Sequence, residues 1–290
     1  MVHLQENVVV FVNRFNNCAL LTVIAVFIAG MTVTAQNINR AKFRDSIRQT
    51  PYFSIHKDNY FISGVPTNKT IGRATADAKY QISFRQVVTR EKLPLDAYIY
   101  LTYTQKSFWN IYEDSFPFRD VNFNPSVAIA KPIFSKTDRL KGLLSLSVEH
   151  ESNGRDSIFS RSWNRVTFGY ATKLWHKTSV HFEAWIPFAY QKGNPDILDY
   201  TGLAEINLEQ EFIKNKFYAS VMLRKGINLD GKGTVRSRIY YSLFKKNTAN
   251  QYLMLEWYVG QAENLLLYQQ SRSVIRIGYV IKTNEFNFFK

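Results

Sequence analysis

Cysteine is almost missing. Cys18 is the only one in 290 residues, and it lies in an N-terminal segment that reads as an export signal. The exported chain therefore has no disulfide framework and no thiol nucleophile. Phe15-Asn16-Asn17, just before it, is no lipoprotein cleavage motif. Long apolar runs are lacking too. The run Ala19 to Ala29 follows Arg14 and leads to small residues ending in Val33-Thr34-Ala35. It is shorter than the roughly 20 residues of a comfortable spanning helix. It suits a signal peptide, residues 1–35, cleaved before Gln36; an uncleaved anchor is the alternative. No later stretch is long enough to span as a helix. Acid is scarce: 23 Asp and Glu against 37 Lys and Arg give a net charge of +14. Loss of residues 1–35 removes one charge of each sign, Arg14 and Glu6, so the balance stands. Such a chain suits anionic lipid headgroups or lipopolysaccharide phosphates, or a solvated surface with basic turns, and charge alone does not choose between them. No nucleic-acid motif is present, so nucleic acid is set aside as a partner. There is no internal repeat, low-complexity tract or second domain.

What is there is alternation. Residues 36–51 form a polar, charged segment, expected as a mobile lead-in. From Tyr52 to Lys290 no amphipathic helix is evident. Period-two segments of roughly ten residues recur between Gly, Asn, Asp, Lys and Pro. In Lys79 to Val88, Tyr80, Ile82 and Phe84 alternate with Gln81, Ser83 and Arg85. In Ser273 to Lys282, Val274, Arg276, Gly278 and Val280 share one side; Ile275, Ile277, Tyr279 and Ile281 share the other. About twelve strands are expected, starting near residues 53, 79, 97, 121, 141, 161, 177, 202, 216, 234, 250 and 272. The 17 Tyr and 22 Phe, many near segment ends, match the aromatic girdles of a membrane barrel. The expected fold is all-β: a transmembrane antiparallel β-barrel over residues 52–290, closed because a bilayer tolerates no free edge.

One hairpin carries polar groups on an otherwise apolar face. His150 and Ser152 are two apart on a strand and point the same way, beside Leu144, Leu146 and Val148. Asn164 has the parity to face His150 across the hairpin, beside Val166, Phe168 and Tyr170. An amide there fixes the imidazole tautomer and leaves the other nitrogen to take a serine proton. It does so without a carboxylate, which is costly against lipid. The chemistry is acyl transfer, with the Gly154 N–H as oxyanion donor. A hard divalent cation such as Ca²⁺ could add positive potential, with the Arg155 carbonyl and the Ser160 hydroxyl as candidate oxygen ligands. Each part also has a plainer reading. His-x-Ser pairs are common on strands, Asn153-Gly154 is a turn signal, and Ser160-Arg161-Ser162 suits a loop. His56, His176 and His181 lack such company and read as ordinary strand or turn residues.

Gln105 shares a face with Ala97, Ile99, Leu101 and Tyr103. An amide at the end of a lipid-facing row wants a partner, such as a second copy of the chain, or else lies at the water interface.

The order and spacing of several motifs resemble the bacterial outer-membrane phospholipase A family. They are Asn59-Tyr60-Phe61-Ile62; Tyr103-Thr104-Gln105-Lys106-Ser107 with Trp109; Pro117-Phe118-Arg119-Asp120 leading to Asn122-Phe123-Asn124-Pro125; His150-Glu151-Ser152-Asn153-Gly154-Arg155; Ser160-Arg161-Ser162-Trp163-Asn164-Arg165; and Gly193-Asn194-Pro195-Asp196-Ile197. The resemblance implies a twelve-stranded barrel that hydrolyses acyl ester bonds of phospholipids and lysophospholipids, depends on Ca²⁺ and acts as a homodimer. It implies Ser152 as nucleophile, His150 as base and Asn164 as orienting residue. It places Arg155 and Ser160 at calcium positions, with Ser115 as the ligand from the second subunit, and Gln105 at the dimer interface. The chain departs at Asp120 and near Pro125, where the family leads one to expect glutamate, and Lys290 follows the terminal aromatic.

The expected protein is thus a phospholipase A1/A2 of the bacterial outer membrane. Its site faces lipid on the extracellular side, gated by dimerisation. The alternatives are a non-enzymatic barrel or small channel, and a hydrolase of lipopolysaccharide acyl chains. Glu149, Glu151, Arg165 and Thr167 face the lumen in this reading, able to pair and fill it.

Overall fold

The computed structural model describes residues 38–90, 93–175, 177–244 and 250–283. The expected signal with Cys18, His176 and the terminal Phe286–Lys290 lie outside the described residues.

Among the described residues, thirteen antiparallel strands form one closed sheet. They are β1 (Phe53–Ile55), β2 (Asn59–Pro66), β3 (Asp77–Val87), β4 (Tyr98–Trp109), β5 (Phe118–Phe134), β6 (Leu140–Ser152), β7 (Ser162–Trp175), β8 (Thr178–Phe188), β9 (Ala204–Ile213), β10 (Phe217–Lys225), β11 (Gly233–Tyr241), β12 (Gln251–Gly260) and β13 (Arg272–Ile281). Neighbours in sequence pair in turn, β13 returns to β2, and β3 pairs with β4 to close the ring. The first stave is broken. β1 lies along Phe84–Gln86 of β3, while β2 lies along Asp77–Gln81 of the same strand. Thirteen strands therefore make the twelve staves that the alternation predicts. No helix among the described residues is long and apolar enough to cross a membrane.

The two faces separate by parity. Ile277 on β13 is 60% exposed and Val148 on β6 is 54% exposed, whereas Arg276 and Asp77 are wholly buried in the lumen. Charges inside a barrel must be paired. Arg276 meets Asp77 at 2.7 Å and Glu263 at 2.6 Å, Lys79 reaches Glu263 at 3.1 Å, and Arg238 holds Glu256 at 2.8 Å. Arg165 meets Glu149 at 2.7 Å and Glu151 at 3.4 Å, as their placement on one face predicts. Thr167 also faces inward and is buried, but its hydroxyl has no hydrogen-bond partner. A cavity of about 210 Å³ remains among these side chains, lined by His56, Lys106, Glu151, Arg165 and Arg236.

The two ends differ. At one end the segments 110–117, 153–161, 189–203 and 261–271 join strands through long loops. At the other, residues 135–139 and 214–216 are short turns, although 88–97 and 242–250 are longer connections. That end also holds the helix α1 (Arg40–Gln49), formed within the expected lead-in. Asn39 caps it by accepting from the Lys42 N–H at 2.9 Å. Phe43 and Ile47, one turn apart, bury against Tyr98, Ala130 and Leu140. Arg40 and Arg44 grip Asp96 at 2.5 and 2.6 Å. Ala97, expected on the lipid-facing row of β4, precedes the strand and is buried instead. It closes the turn that presents Asp96 to α1.

Candidate active site

The hairpin β6–β7 places the three expected residues on the outer wall at the long-loop end. His150 lies opposite Asn164, and Ser152 opposite Ser162. His150 Nδ1 and Asn164 Oδ1 are 2.8 Å apart. The His150 carbonyl is turned toward β5, where it accepts from Asn124. His150 and Asn164 are therefore a pair without mutual backbone bonds, the kind in which side chains come closest. A carbonyl oxygen only accepts, so Nδ1 carries the hydrogen and Nε2 keeps its lone pair. Ser152 lies two residues along the same face, and no hydrogen bond joins its hydroxyl to the imidazole in this structure. Leu146, Val148 and Phe168 continue that face as exposed apolar side chains.

The inner face of the hairpin is pinned. Glu149, Glu151 and Arg165 alternate with His150 and Asn164 and pair in the lumen. Trp163 is buried, donates from Nε1 to Glu151 at 3.1 Å, and meets Trp185 edge to face. The Arg165 guanidinium lies 4.5 Å over the Trp163 ring. A slip of one residue would turn these charges into lipid and His150 into the lumen, so the register is firmly set.

The loop after Ser152 is built round Asn153. Its Nδ2 donates to the Phe159 carbonyl at 2.9 Å, and its Oδ1 accepts from the N–H of Arg161 at 3.0 Å. Gly154 follows with φ +63°, and a Cβ there would lie 2.8 Å from the Phe123 ring. Both facts favour glycine at this position. The Arg155 side chain reaches back to the Arg119 carbonyl at 2.6 Å, which fastens the loop to the start of β5. Ile158 and Phe159 are exposed at its tip.

Residues of other motifs support this loop, a role that their sequence pattern does not disclose. Asn194 is fully buried; its Oδ1 accepts from the Ser162 N–H at 3.0 Å and its Nδ2 donates to the Tyr190 carbonyl at 2.7 Å. Gly193 is so close to Ser160 that a Cβ would lie 2.6 Å from its carbonyl. Asp120 and Asn122 accept from the N–H groups of Leu266 and Leu265, tying the 261–271 loop to β5. Their signal is only the polar residue in a motif; no period reveals the partner.

The expected calcium positions offer oxygen alone. They are the Arg155 carbonyl, the Ser160 hydroxyl and, on the adjacent loop, exposed Ser115 at φ +64°. No group of three or more His, Cys, Asp or Glu among the described residues is arranged to hold a metal. A donor set of neutral oxygens fits a hard cation such as Ca²⁺ and not a soft one.

Gln105 faces outward among partners of its own strand. Its Oε1 accepts from the Tyr103 hydroxyl at 3.0 Å, and its Nε2 donates to Ser107 at 3.2 Å. One amide hydrogen and one lone pair remain for another molecule.

Comparison with known proteins gives the family and the fold. A phospholipase A1 relative from Neisseria meningitidis serogroup B is 28% identical over 215 residues, 70% of this chain; the matched part is 54% of that protein, about half its length. The phospholipase A1 of Escherichia coli K12 is 27% identical over 216 residues, covering 71% of this chain and 69% of its own. Two solved structures share the fold. The outer membrane phospholipase A from Escherichia coli has a TM-score of 0.70 at 20% identity, covering 84% of this chain and 98% of that one. An outer membrane phospholipase dimer with bound calcium, from Salmonella typhi, has a TM-score of 0.71 at 21% identity over the same shares. The family model of phospholipase A1 matches residues 38–281. The chain belongs to the phospholipase A1 family.

Proposed function

We propose that the chain is a calcium-dependent phospholipase of the outer membrane, active as a homodimer. It hydrolyses acyl ester bonds of phospholipids and lysophospholipids at the A1 and A2 positions, from the extracellular side. The observation that carries this reading is the 2.8 Å bond between His150 and Asn164 on a lipid-facing wall, with Ser152 beside it. A paired base and hydroxyl in that place meet acyl chains, not dissolved substrates.

In this account Ser152 Oγ attacks the ester carbonyl carbon while His150 Nε2 takes its proton. Asn164 holds the imidazole through Nδ1–H as its charge develops. The carbonyl oxygen, now negative, accepts from the Gly154 N–H. The ester C–O bond then breaks, the proton passes from Nε2 to the leaving glycerol oxygen, and Ser152 keeps the acyl group. Water repeats the sequence and releases the fatty acid. Ca²⁺, when bound, would supply positive potential that favours the developing negative charge. The Arg155 carbonyl and Ser160 hydroxyl would hold it, with Ser115 contributed by the second subunit. Gln105, half satisfied within its own strand, would meet its counterpart at the dimer interface. Ion pairs packed inside the lumen argue against the rival reading of an open channel.

A lipid-like fluorophosphonate tests the nucleophile directly. The probe is expected to label Ser152 in the folded barrel, to spare Ser152→Ala, and to react more slowly with His150→Ala. Equal labelling of wild type and Ser152→Ala would contradict the assignment.

A further inference from the structure

Proline is out of place in the middle of a closed sheet, because it gives no hydrogen bond to the ladder. Pro125 sits in β5 beside the candidate base. β5 and β6 pair at Phe123–Ser152 and again from Ser126–Glu149 onward; between them the pairing lapses. By continuation of that register, Pro125 falls opposite His150 and Asn124 opposite Glu151. The carbonyl of His150 points at β5, where the next backbone donor would be the N–H that Pro125 lacks. A backbone carbonyl left unpaired in a lipid-embedded wall is costly. The Asn124 side chain fills the gap, with Nδ2 donating to the His150 carbonyl at 2.9 Å.

We infer that Asn124 is a positioning residue for His150: its amide replaces the one ladder bond that Pro125 removes, and so fixes the strand that aims the imidazole. The inference rests on the reading of His150 as the base. The pairing gap gives β6 local freedom at the residue whose ring must reach both Asn164 and Ser152. On the β7 side, His150 has no backbone bond, only the side-chain bond to Asn164. On the β5 side, the Asn124 amide is the tether. Its donor is essential, since an ionised carboxylate at 124 has no hydrogen to give.

Hydrolysis by the full-length barrel in mixed phosphatidylcholine–detergent micelles with Ca²⁺ tests this. Asn124→Ala is expected to lower kcat about tenfold with little change in KM, the size of one lost hydrogen bond. Asn124→Asp, which keeps the shape and loses the donor, should do the same. In Asn124→Ala with Pro125→Ala, the restored backbone N–H should return most of the lost kcat. Heat-modifiable migration on gels reports that each variant is folded. A kcat for Asn124→Asp within twofold of wild type would overturn the inference. So would a loss in Asn124→Ala that the folded double variant does not recover. A wild type that hydrolyses nothing would instead contradict the reading of the site itself, and Ser152→Ala as active as wild type would do likewise.

Discussion

Arg165 Nη2 meets Glu149 Oε2 at 2.7 Å on the lumen side of the strand pair that carries His150 and Asn164 outward. The pair and the candidate catalytic residues are neighbours in sequence and opposite in direction. Disturbing the inside is therefore expected to disturb the outside. Arg165→Met takes from Glu149 its ion-pair partner and leaves Glu151 only Lys106 at 3.8 Å, and breaking such a pair costs about 3 kcal/mol. The denaturant midpoint of the variant in detergent should fall, with hydrolysis falling alongside it. An unchanged midpoint would show that the lumen network contributes little.

Gly154→Ala probes the oxyanion position. The added Cβ is disfavoured by φ +63° and by Phe123 at 2.8 Å, so the Gly154 N–H should shift. Loss of one such donor lowers kcat by about a hundredfold. Steady-state kinetics on a folded variant checks this; activity within twofold of wild type would remove Gly154 from the site.

Much of this was legible in the sequence, for a definite reason. On β3 and β13 a polar lumen and an apolar exterior give strict alternation, so both strands and both faces can be read from Tyr80–Ile82–Phe84 and Ile275–Ile277–Tyr279. The same parity brings His150 to Asn164. The helix α1 was hidden, because only Phe43 and Ile47 mark its buried face among ten residues. Loop geometry was hidden too. Asn153 and Asn194 act through side-chain bonds to backbone groups elsewhere, which leave no period. Gln105 turned out to have partners at positions 103 and 107, two residues away on its own strand, where outward parity alone suggested only a second chain or water.

At the helix end, Asp96 offers a pH prediction. Burial disfavours its charge, but the hydrogen bonds from Arg44 and Arg40 outweigh that and hold its carboxyl below the usual range. A carboxyl lowered in the folded state stabilises α1 docking above its unfolded pKa, about 3.9. That contribution is lost as pH falls through the lower folded value. Protease cleavage within residues 40–49 should therefore accelerate below about pH 4. Asp96→Asn should show the faster cleavage already at neutral pH and little further change on acidification.

Ca²⁺ is expected to act on turnover and not on folding, because only the neutral oxygens of Arg155, Ser160 and Ser115 are assigned to it. A chelator should abolish hydrolysis and leave gel mobility unchanged. Ser160→Ala should raise the Ca²⁺ needed for half-maximal activity about tenfold or more. An unaltered requirement would remove Ser160 from the metal site.

The central claim is that Ser152 hydrolyses lipid esters with help from Ca²⁺. Fatty-acid release from mixed detergent–phospholipid micelles, with Ca²⁺ or a chelator, tests it in wild type and Ser152→Ala. Release is expected to need Ca²⁺ and to vanish in the variant. A well-folded wild-type barrel that releases no fatty acid, or a Ser152→Ala barrel that releases as much as wild type, would contradict it.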